Sequence, residues 1–217
     1  MSKVYITNNR KNVSMKKTLV ILANSIKHQK HCVAGKCIET KKWIRPVSDA
    51  SGTELSNEQA TYNNKYGQYM VKPKQKIEIG FLSHVPLIHQ PDNYMIDNSQ
   101  WIQKYKIDDL ELKNYLDTPL SLWGNYNKVG YLDIIKKNIT IDQSLYLIQS
   151  KDLNLYNNID NKRRAKFTYN DIIYDLPVTD PTFDRIISEK KPTSGIICVS
   201  LGEEYNGNCY KIVATIF

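Results

Sequence analysis

The chain has 217 residues, of which 24% are charged and 41% hydrophobic, and its formal net charge is +8. This composition places it among soluble globular proteins, with room for one large domain or two small ones. No apolar run approaches the ~18 residues of a transmembrane helix, so the sequence predicts no membrane partner. The first fifty residues hold eleven Lys and Arg against two Asp and Glu, and the remainder is nearly neutral. Such localised charge is typical of polyanion binders, although a solubilising lysine-rich face gives the same count.

The N-terminal residues 1–15 are polar and basic without a usable period, which predicts a flexible basic tail. Thr18–Ala23 is a continuous apolar run typical of a buried strand. Met15-Lys16-Lys17 ahead of it imitates a signal peptide, but the run is shorter than the ~7–15 residues such a peptide needs. The sequence therefore predicts a cytoplasmic protein with reduced cysteines.

Two further strands are predicted at Cys32–Ile38 and Trp43–Val47, with Lys41 and Lys42 in the turn between them. Gly35 inside the first of these strands indicates a bulge or a close backbone approach. The first, third and fifth residues of the second strand share one face, because side chains alternate with period two. Together these strands form a basic edge.

The middle of the chain alternates short elements with long polar loops. Its periodicities predict helices over Glu54–Ala60 and Ile107–Leu116, and strands over Lys76–Phe81, Ile139–Gln149 and Phe167–Tyr169.

Near the C-terminus, Asp180 followed by Pro181 has the pattern of an N-cap and first helical residue, which predicts a helix there. The strands predicted at Gly195–Leu201 and Cys209–Phe217 are joined by Asn206-Gly207, a strong hairpin signal. Eight to ten short strands with few short helices indicate a mostly β fold. Small barrels or sandwiches fit this list better than a parallel α/β sheet, and two half-chain barrels account for the length.

The basic edge and one later cluster of arginines form the predicted nucleic-acid site. An aromatic ring such as that of Trp43 offers a base a stacking surface worth ~1–3 kcal/mol, and Arg45 can fork onto a phosphate as no lysine can. A core tryptophan beside a solvent-exposed lysine turn explains the same residues equally well. The residues predicted to bind nucleic acid are Lys27, Lys36, Lys41, Lys42, Trp43, Arg45, Arg163 and Arg164.

Other chemistries are weaker alternatives. The nearest approach to a metal site is His28, His31, Cys32 and Cys37, whose spacing matches no usual zinc ligand set, so neither a metal nor a cofactor is predicted.

An enzyme acting on nucleotides or modified bases is an alternative that would use Asp180 and Asp184 as paired carboxylates, or Cys32 as a nucleophile. A helix cap, a helix-dipole partner and an inert core thiol are the structural explanations of the same residues. Loops rich in tyrosine and asparagine leave a protein-interaction adaptor, and so a protein partner, as a second alternative.

Five segments resemble a known family, the dual OB-containing domain family of bacteria: Leu19–Ser25, Cys32–Lys36, Trp43–Ser48, Pro177–Pro181 and Ser200–Glu203. The resemblance implies two small OB-like Greek-key barrels packed together, which we expect over residues 16–125 and 126–217. OB barrels commonly bind single-stranded nucleic acid. We therefore expect a non-enzymatic nucleic-acid-binding module with single-stranded DNA or RNA as its partner. An accessory place in a bacterial defence or nucleic-acid-processing system is the expected setting.

Overall fold

A computed structural model describes residues 14–27 and 29–217, and the side chain of Lys27 lies outside the described part. The predicted tail, residues 1–15, falls outside it as well except for Ser14 and Met15. The described first half forms eight strands: β1 (Met15–Lys27), β2 (Lys30–Cys37), β3 (Trp43–Val47), β4 (Thr61–Asn64), β5 (Gly67–Met70), β6 (Gln75–His84), β7 (Asn93–Ile96) and β8 (Trp101–Lys106).

Five of these strands close into a barrel. Strand β1 pairs antiparallel with both β2 and β6, and the ring continues through β3 and β7, which run parallel to each other. The resulting order, β1-β2-β3-β7-β6 and back to β1, is that of an OB barrel. Strand β8 and the β4–β5 hairpin extend the sheet beyond β6. The predicted mostly β fold with OB-like barrels is confirmed.

The described second half contains seven strands and three short helices. They are α1 (Asp109–Leu112, continued by a 3-10 turn at Lys113–Tyr115), β9 (Lys128–Gly130), α2 (Tyr131–Ile135), β10 (Leu145–Gln149), β11 (Lys151–Asn157), β12 (Arg163–Tyr169), β13 (Ile172–Pro177), α3 (Phe183–Ser188), β14 (Ile196–Tyr205) and β15 (Asn208–Ile216).

The second unit repeats the OB order in a more open form. Strands β10 and β11 are separated only by Ser150, and they pair with β14 and β12 respectively. Strands β12–β13 and β14–β15 continue the two sides of the ring. An isolated parallel bridge between Val178 and Val213 joins the two sheets. In the first barrel the corresponding connection is the full parallel pairing of β3 with β7.

Three apolar cores hold the molecule together. One fills each barrel, and the third lies between them and combines Val20, Leu22 and Trp43 of the first barrel with Leu147 and Cys198 of the second. Each fully buried aliphatic side chain contributes roughly 1.5–3 kcal/mol. The outward face of β1–β3 is therefore covered by β10, β14 and β15, and the two barrels share one interface.

The division of the chain at residue 125 stays a prediction. The loop just before it already packs with the second barrel, because Leu122 and Trp123 belong to that barrel's core.

The helix predicted over Glu54–Ala60 is wrong. The segment forms an isolated bridge at Leu55 and then one tight turn, in which Ser56 and Gln59 exchange hydrogen bonds between side chain and backbone at 2.9 and 3.2 Å. Strand β4 begins directly after Ala60, so the turn has no room to continue as a helix.

The helix predicted after Asp180 is present, but its cap differs. Helix α3 begins at Phe183, and the Asp180 carboxylate accepts hydrogen bonds from the backbone and hydroxyl of Thr182, both at 2.7 Å. Its second oxygen accepts from the amide of Ile216 at 2.8 Å. Asp180 thus ties the start of α3 to the C-terminal strand.

The turn between β14 and β15 has the predicted hairpin geometry. Asn206 and Gly207 both adopt positive φ angles, 49° and 76°, as the tight turns that match the twist of paired strands require. Tyr205 and Asn208 pair across it.

Lys211 is completely buried in the second barrel. Its Nζ donates to the carbonyl oxygens of Gly124, at 2.7 Å, and of Tyr126, and so holds the loop before β9. Burial lowers the pKa of Lys211 from 10.5 to about 8.

Between these two pKa values the unfolded chain binds one proton more than the folded chain, so the stability contributed through Lys211 rises with pH. Relative to Lys211→Met, the wild-type free energy of unfolding should increase by about 2 kcal/mol between pH 8 and 9.5. Urea unfolding of both chains at the two pH values measures this. The buried thiols of Cys198 and Cys209, whose pKa values burial raises, are common to both chains and cancel. A difference that stays constant with pH would contradict the prediction.

Candidate nucleic-acid interface

Trp43 and Lys36, two residues of the predicted basic edge, are buried between the barrels. The Trp43 side chain donates from Nε1 to an Asp117 oxygen at 3.0 Å, and only 4% of the residue is exposed. The Lys36 ammonium donates to the other Asp117 oxygen at 2.6 Å and to the Tyr115 carbonyl at 2.8 Å. Trp43 is therefore a core tryptophan, which is the alternative that the sequence left open. Its ring offers no face on which a base could stack.

Arg45 is also buried, at 9% exposure. Its Nη2 donates to the hydroxyls of Ser144, at 3.0 Å, and Ser200, at 3.1 Å, both on the second barrel. Ser144 in turn donates to the Asp92 carboxylate from its amide and its hydroxyl. Arg45 thus joins the barrels through hydroxyl groups.

The burial of these three residues has one cause. The outward surface of strands two and three is where OB barrels usually bind oligonucleotides. In the first barrel that surface is the one covered by β10, β14 and β15. The strand pattern assigned these three residues to an exposed binding edge, but they lie in the interface between the two barrels.

Two of the three remaining predicted residues of the first barrel lie in a turn. Lys41 and Lys42 are exposed between β2 and β3, and the Lys41 ammonium lies 3.9 Å from the centre of the Tyr115 ring. Lys27 ends β1, and its side chain is outside the described residues.

The two arginines of the second barrel point in different directions. Arg163 pairs with Asp184 on α3 at 2.5 Å, and its guanidinium lies 5.8 Å from the Phe183 ring centre. Arg164 lies on the outer surface of β11–β13 and pairs with Asp175 at 3.0 Å. That surface corresponds to the one covered in the first barrel, and here it is open.

The residues of the enzymatic alternative do not converge. Asp180 is buried, with its oxygens occupied by backbone and hydroxyl donors, and Asp184 is bound to Arg163. Cys32 lines the cleft at the junction of the barrels, and neither Asp180 nor Asp184 is among the residues lining that cleft. His31 binds Asn24 and Asn57 through its two ring nitrogens. Within the described part of the chain, no three His, Cys, Asp or Glu side chains are grouped as metal ligands.

An aromatic and basic groove that the sequence pattern missed lies on the extension of the first barrel. We call it the Tyr–Lys groove; it has a volume of about 650 Å³ and is lined by residues 63–66 of the β4–β5 hairpin, Gln100 and residues 102–106 of β8. Tyr66 is 74% exposed and Tyr105 is 56% exposed. No acidic residue is among the lining residues.

Cations accompany both rings. The Lys65 ammonium lies 4.9 Å from the Tyr66 ring centre, and the Lys76 ammonium lies 5.2 Å from that of Tyr105. Lys104, in the groove wall, pairs with Glu78 at 3.1 Å. Rings interleaved with cations can stack bases and neutralise phosphates in the same groove.

A second concavity, of about 480 Å³, opens where the barrels meet. We call it the junction cleft; residues of β1, β2 and β3 line one side of it, and the β14–β15 hairpin lines the other. Six residues carry its chemistry: Arg45, Gln90, Glu203, Glu204, Tyr205 and Tyr210.

The sequence matches the family model of the dual OB-containing domain over residues 17–216, nearly the whole chain. This confirms the resemblance read from the five segments. No curated protein matches the chain in sequence.

Two solved structures are weakly similar in fold. A murine DNA-binding protein bound to double-stranded DNA shows 11% identity and a TM-score of 0.36, over 94% of this chain and 96% of that chain. The tetrameric p202 HIN2 structure shows 8% identity and a TM-score of 0.33, over 94% of each chain. Similarity at this level says nothing about what this chain binds. None of the helices in the described residues is long and apolar enough to cross a membrane.

Proposed function

Because this chain belongs to the dual OB-containing domain family, we propose that it binds single-stranded nucleic acid, with the Tyr–Lys groove as the main contact. The observation that supports this is the pair of exposed rings, Tyr66 and Tyr105, in a groove lined by three lysines and no acid. Single strands expose the faces of their bases, which a duplex keeps stacked, so exposed rings favour them.

The groove suits a strand better than a compact ligand. It is shallow and open, and its polar wall is built from amides and ammonium groups. Asn64 donates to Gln103 at 3.1 Å, which fixes the wall between the two rings. Its lysines can follow a phosphate backbone while bases stack on the tyrosines.

The open surface of β11–β13 in the second barrel is a further contact in this proposal. Asn154, Lys166 and Asp175 stand side by side across its three strands, next to Arg164. Arg164 is held by Asp175, as Lys104 of the groove is held by Glu78, so each contributes less to binding than an unpaired cation would. Lys41 and Lys42, in the exposed turn between β2 and β3, are also among the residues predicted from the sequence to bind nucleic acid.

Tyr105→Ala should weaken the binding of a fluorescein-labelled dT12 strand about tenfold, because one stacking contact is worth ~1–3 kcal/mol. Fluorescence anisotropy at two salt concentrations measures the affinity. Tyr126→Ala is the matched control, because Tyr126 is 80% exposed and lies outside the groove. Its affinity should equal that of the wild type.

Three outcomes contradict the proposal. One is the absence of dT12 binding at low salt, and another is an affinity that does not fall with salt. The third is an equal loss of affinity in the Tyr105 and Tyr126 variants. A duplex of the same length that binds more tightly than dT12 would reject the preference for single strands.

A further inference from the structure

Asn64 fixes which end of the Gln103 amide remains unbound in the Tyr–Lys groove. The backbone amide of Tyr66 donates to Asn64 Oδ1 at 2.8 Å. Because a backbone N–H can only donate, this contact identifies the oxygen of the Asn64 amide, and its nitrogen is the atom that faces Gln103. That nitrogen donates to Gln103 Oε1 at 3.1 Å. The end of the Gln103 amide that remains is therefore Nε2, which carries two N–H donors.

The Gln103 Nε2 atom is open to solvent. It has no hydrogen-bond partner among the described residues, and it is not one of the five fully buried unpaired side-chain atoms found there. Gln103 is only partly buried, and it lines the groove. Its two N–H donors can therefore be taken by an acceptor on a ligand in the groove.

The amide oxygens around this donor are not free to accept from a ligand. Asn64 Oδ1 and Gln103 Oε1 already accept within the groove wall. Asn63 Oδ1 is fully buried, so a ligand in the groove does not reach it. The three lysines of the lining carry donors only. Between the two tyrosine rings, the amide and ammonium groups of the wall thus offer donors and no unengaged oxygen.

The Tyr105 ring lies beside the Gln103 donor. The two residues are two positions apart on β8, so their side chains leave the same face of the strand, ~7 Å apart. A base that stacks on the exposed Tyr105 ring therefore turns one edge towards Gln103. The lysines hold the phosphates and sugar, so this edge is the one farthest from the sugar.

The edge farthest from the sugar differs among the pyrimidines in one group. Thymine and uracil carry the carbonyl oxygen O4 there, and cytosine carries the amino group N4. A donor such as Gln103 Nε2 bonds O4, whereas it opposes the N–H bonds of N4. We propose that Gln103 donates to O4 of a base stacked on Tyr105, so that the groove binds thymine and uracil in preference to cytosine. The inference rests on the proposed single-strand binding and adds base selectivity to it.

The test compares fluorescein-labelled dT12, dU12 and dC12 by fluorescence anisotropy at one low salt concentration. The wild type should bind dT12 and dU12 about three to ten times more tightly than dC12, the factor that one neutral hydrogen bond supplies. The dU12 strand separates recognition of O4 from contact with the thymine methyl group.

Three variants assign the preference to Gln103. Gln103→Met keeps the length of the side chain and removes the donors, so the dT12-to-dC12 affinity ratio should fall to about one. Gln103→Glu offers the cytosine amine an acceptor, so the ratio should fall below one, while the added charge weakens both strands alike. Gln100→Met removes the same kind of amide at the end of the groove and should keep the wild-type ratio. Each ratio compares two strands on one variant, and melting temperatures verify that the variants fold.

The outcomes separate the two proposals. A wild type that binds dC12 as tightly as dT12 overturns the base preference and leaves single-strand binding standing. Binding of dU12 no tighter than that of dC12 overturns the recognition of O4. A wild-type ratio that persists in Gln103→Met, or that falls equally in Gln100→Met, overturns the assignment to Gln103. Failure of all three strands to bind the wild type overturns the proposed function itself.

Discussion

Replacing Asp117 by alanine is expected to lower the free energy of unfolding by about 3 to 5 kcal/mol. Its carboxylate accepts from Lys36 Nζ at 2.6 Å and from Trp43 Nε1 at 3.0 Å, both in the interface between the barrels. It also accepts from the amide of Leu147 on β10 at 2.8 Å. Without it, a buried ammonium loses its only carboxylate among the described residues, and two further donors lose their acceptor. Urea unfolding measures the change.

Asp109→Ala is the matched control for this loss. The Asp109 carboxylate lies 2.7 Å from the Lys74 ammonium, close to the 2.6 Å that separates Asp117 from Lys36. The Asp109 side chain, however, is 75% exposed. An exposed pair contributes little, so this variant should lose less than about 1 kcal/mol. Similar losses in the two variants would show that the Asp117 cluster is not an interface clamp.

The position of Trp43 shows what an alternating strand pattern can predict and what it cannot. Period-two alternation correctly separates Trp43 from Ile44, which lies in the core of the first barrel. It cannot say whether the outer side meets water or another domain. The second barrel decides that, and its covering strand β10 begins only at Leu145, about a hundred residues later. Local pattern thus predicts the strand and its two faces, while long-range packing determines which face is exposed.

The Tyr–Lys groove was not predicted from the sequence, for a different reason. Strands β4 and β5 lie in a polar stretch without clear alternation, and β8 has five of its six residues at least partly exposed. They are strands because they continue the edge of β6, which no local signal reveals. The cluster Trp101–Lys106, which interleaves aromatic and basic residues, was the one available hint.

The net positive charge of the first fifty residues does not indicate where its cations lie in the fold. Of its described cations, Lys36 and Arg45 are buried and Lys16 is paired with Glu78. Buried cations hold the barrels together instead of facing a partner. The lysines that line the groove come from the electrically neutral remainder of the chain, and the fold groups them there although Lys104 stays paired with Glu78.

Gly35→Ala is expected to cost about 3 kcal/mol, at the upper end for overpacking of a core position, and so to lower the melting temperature by about 10 °C. A Cβ at Gly35 would lie 2.4 Å from the carbonyl oxygen of Val20 and 3.0 Å from its carbonyl carbon, both backbone atoms of β1. The sequence predicted a bulge or close approach here, and the β1–β2 register shifts just beyond Ile21. Because residues of β1 lie in two of the three cores, the strand cannot move aside without disturbing both.

Gly202→Ala makes the same change in β14 and serves as the control for Gly35. Its added Cβ would meet the Tyr210 carbonyl oxygen at 3.2 Å and the Ile212 side chain at 3.3 Å, contacts that a shift of a few tenths of an ångström relieves. This variant should lose less than about 1 kcal/mol, and calorimetry of both variants gives the comparison. If Gly35→Ala melted within 2 °C of the wild type, roughly the shift for 1 kcal/mol at this chain length, the close approach of β1 and β2 would not limit stability. A large loss at Gly35 alone would show that the β1–β2 pairing of the first barrel tolerates no added volume beside Val20.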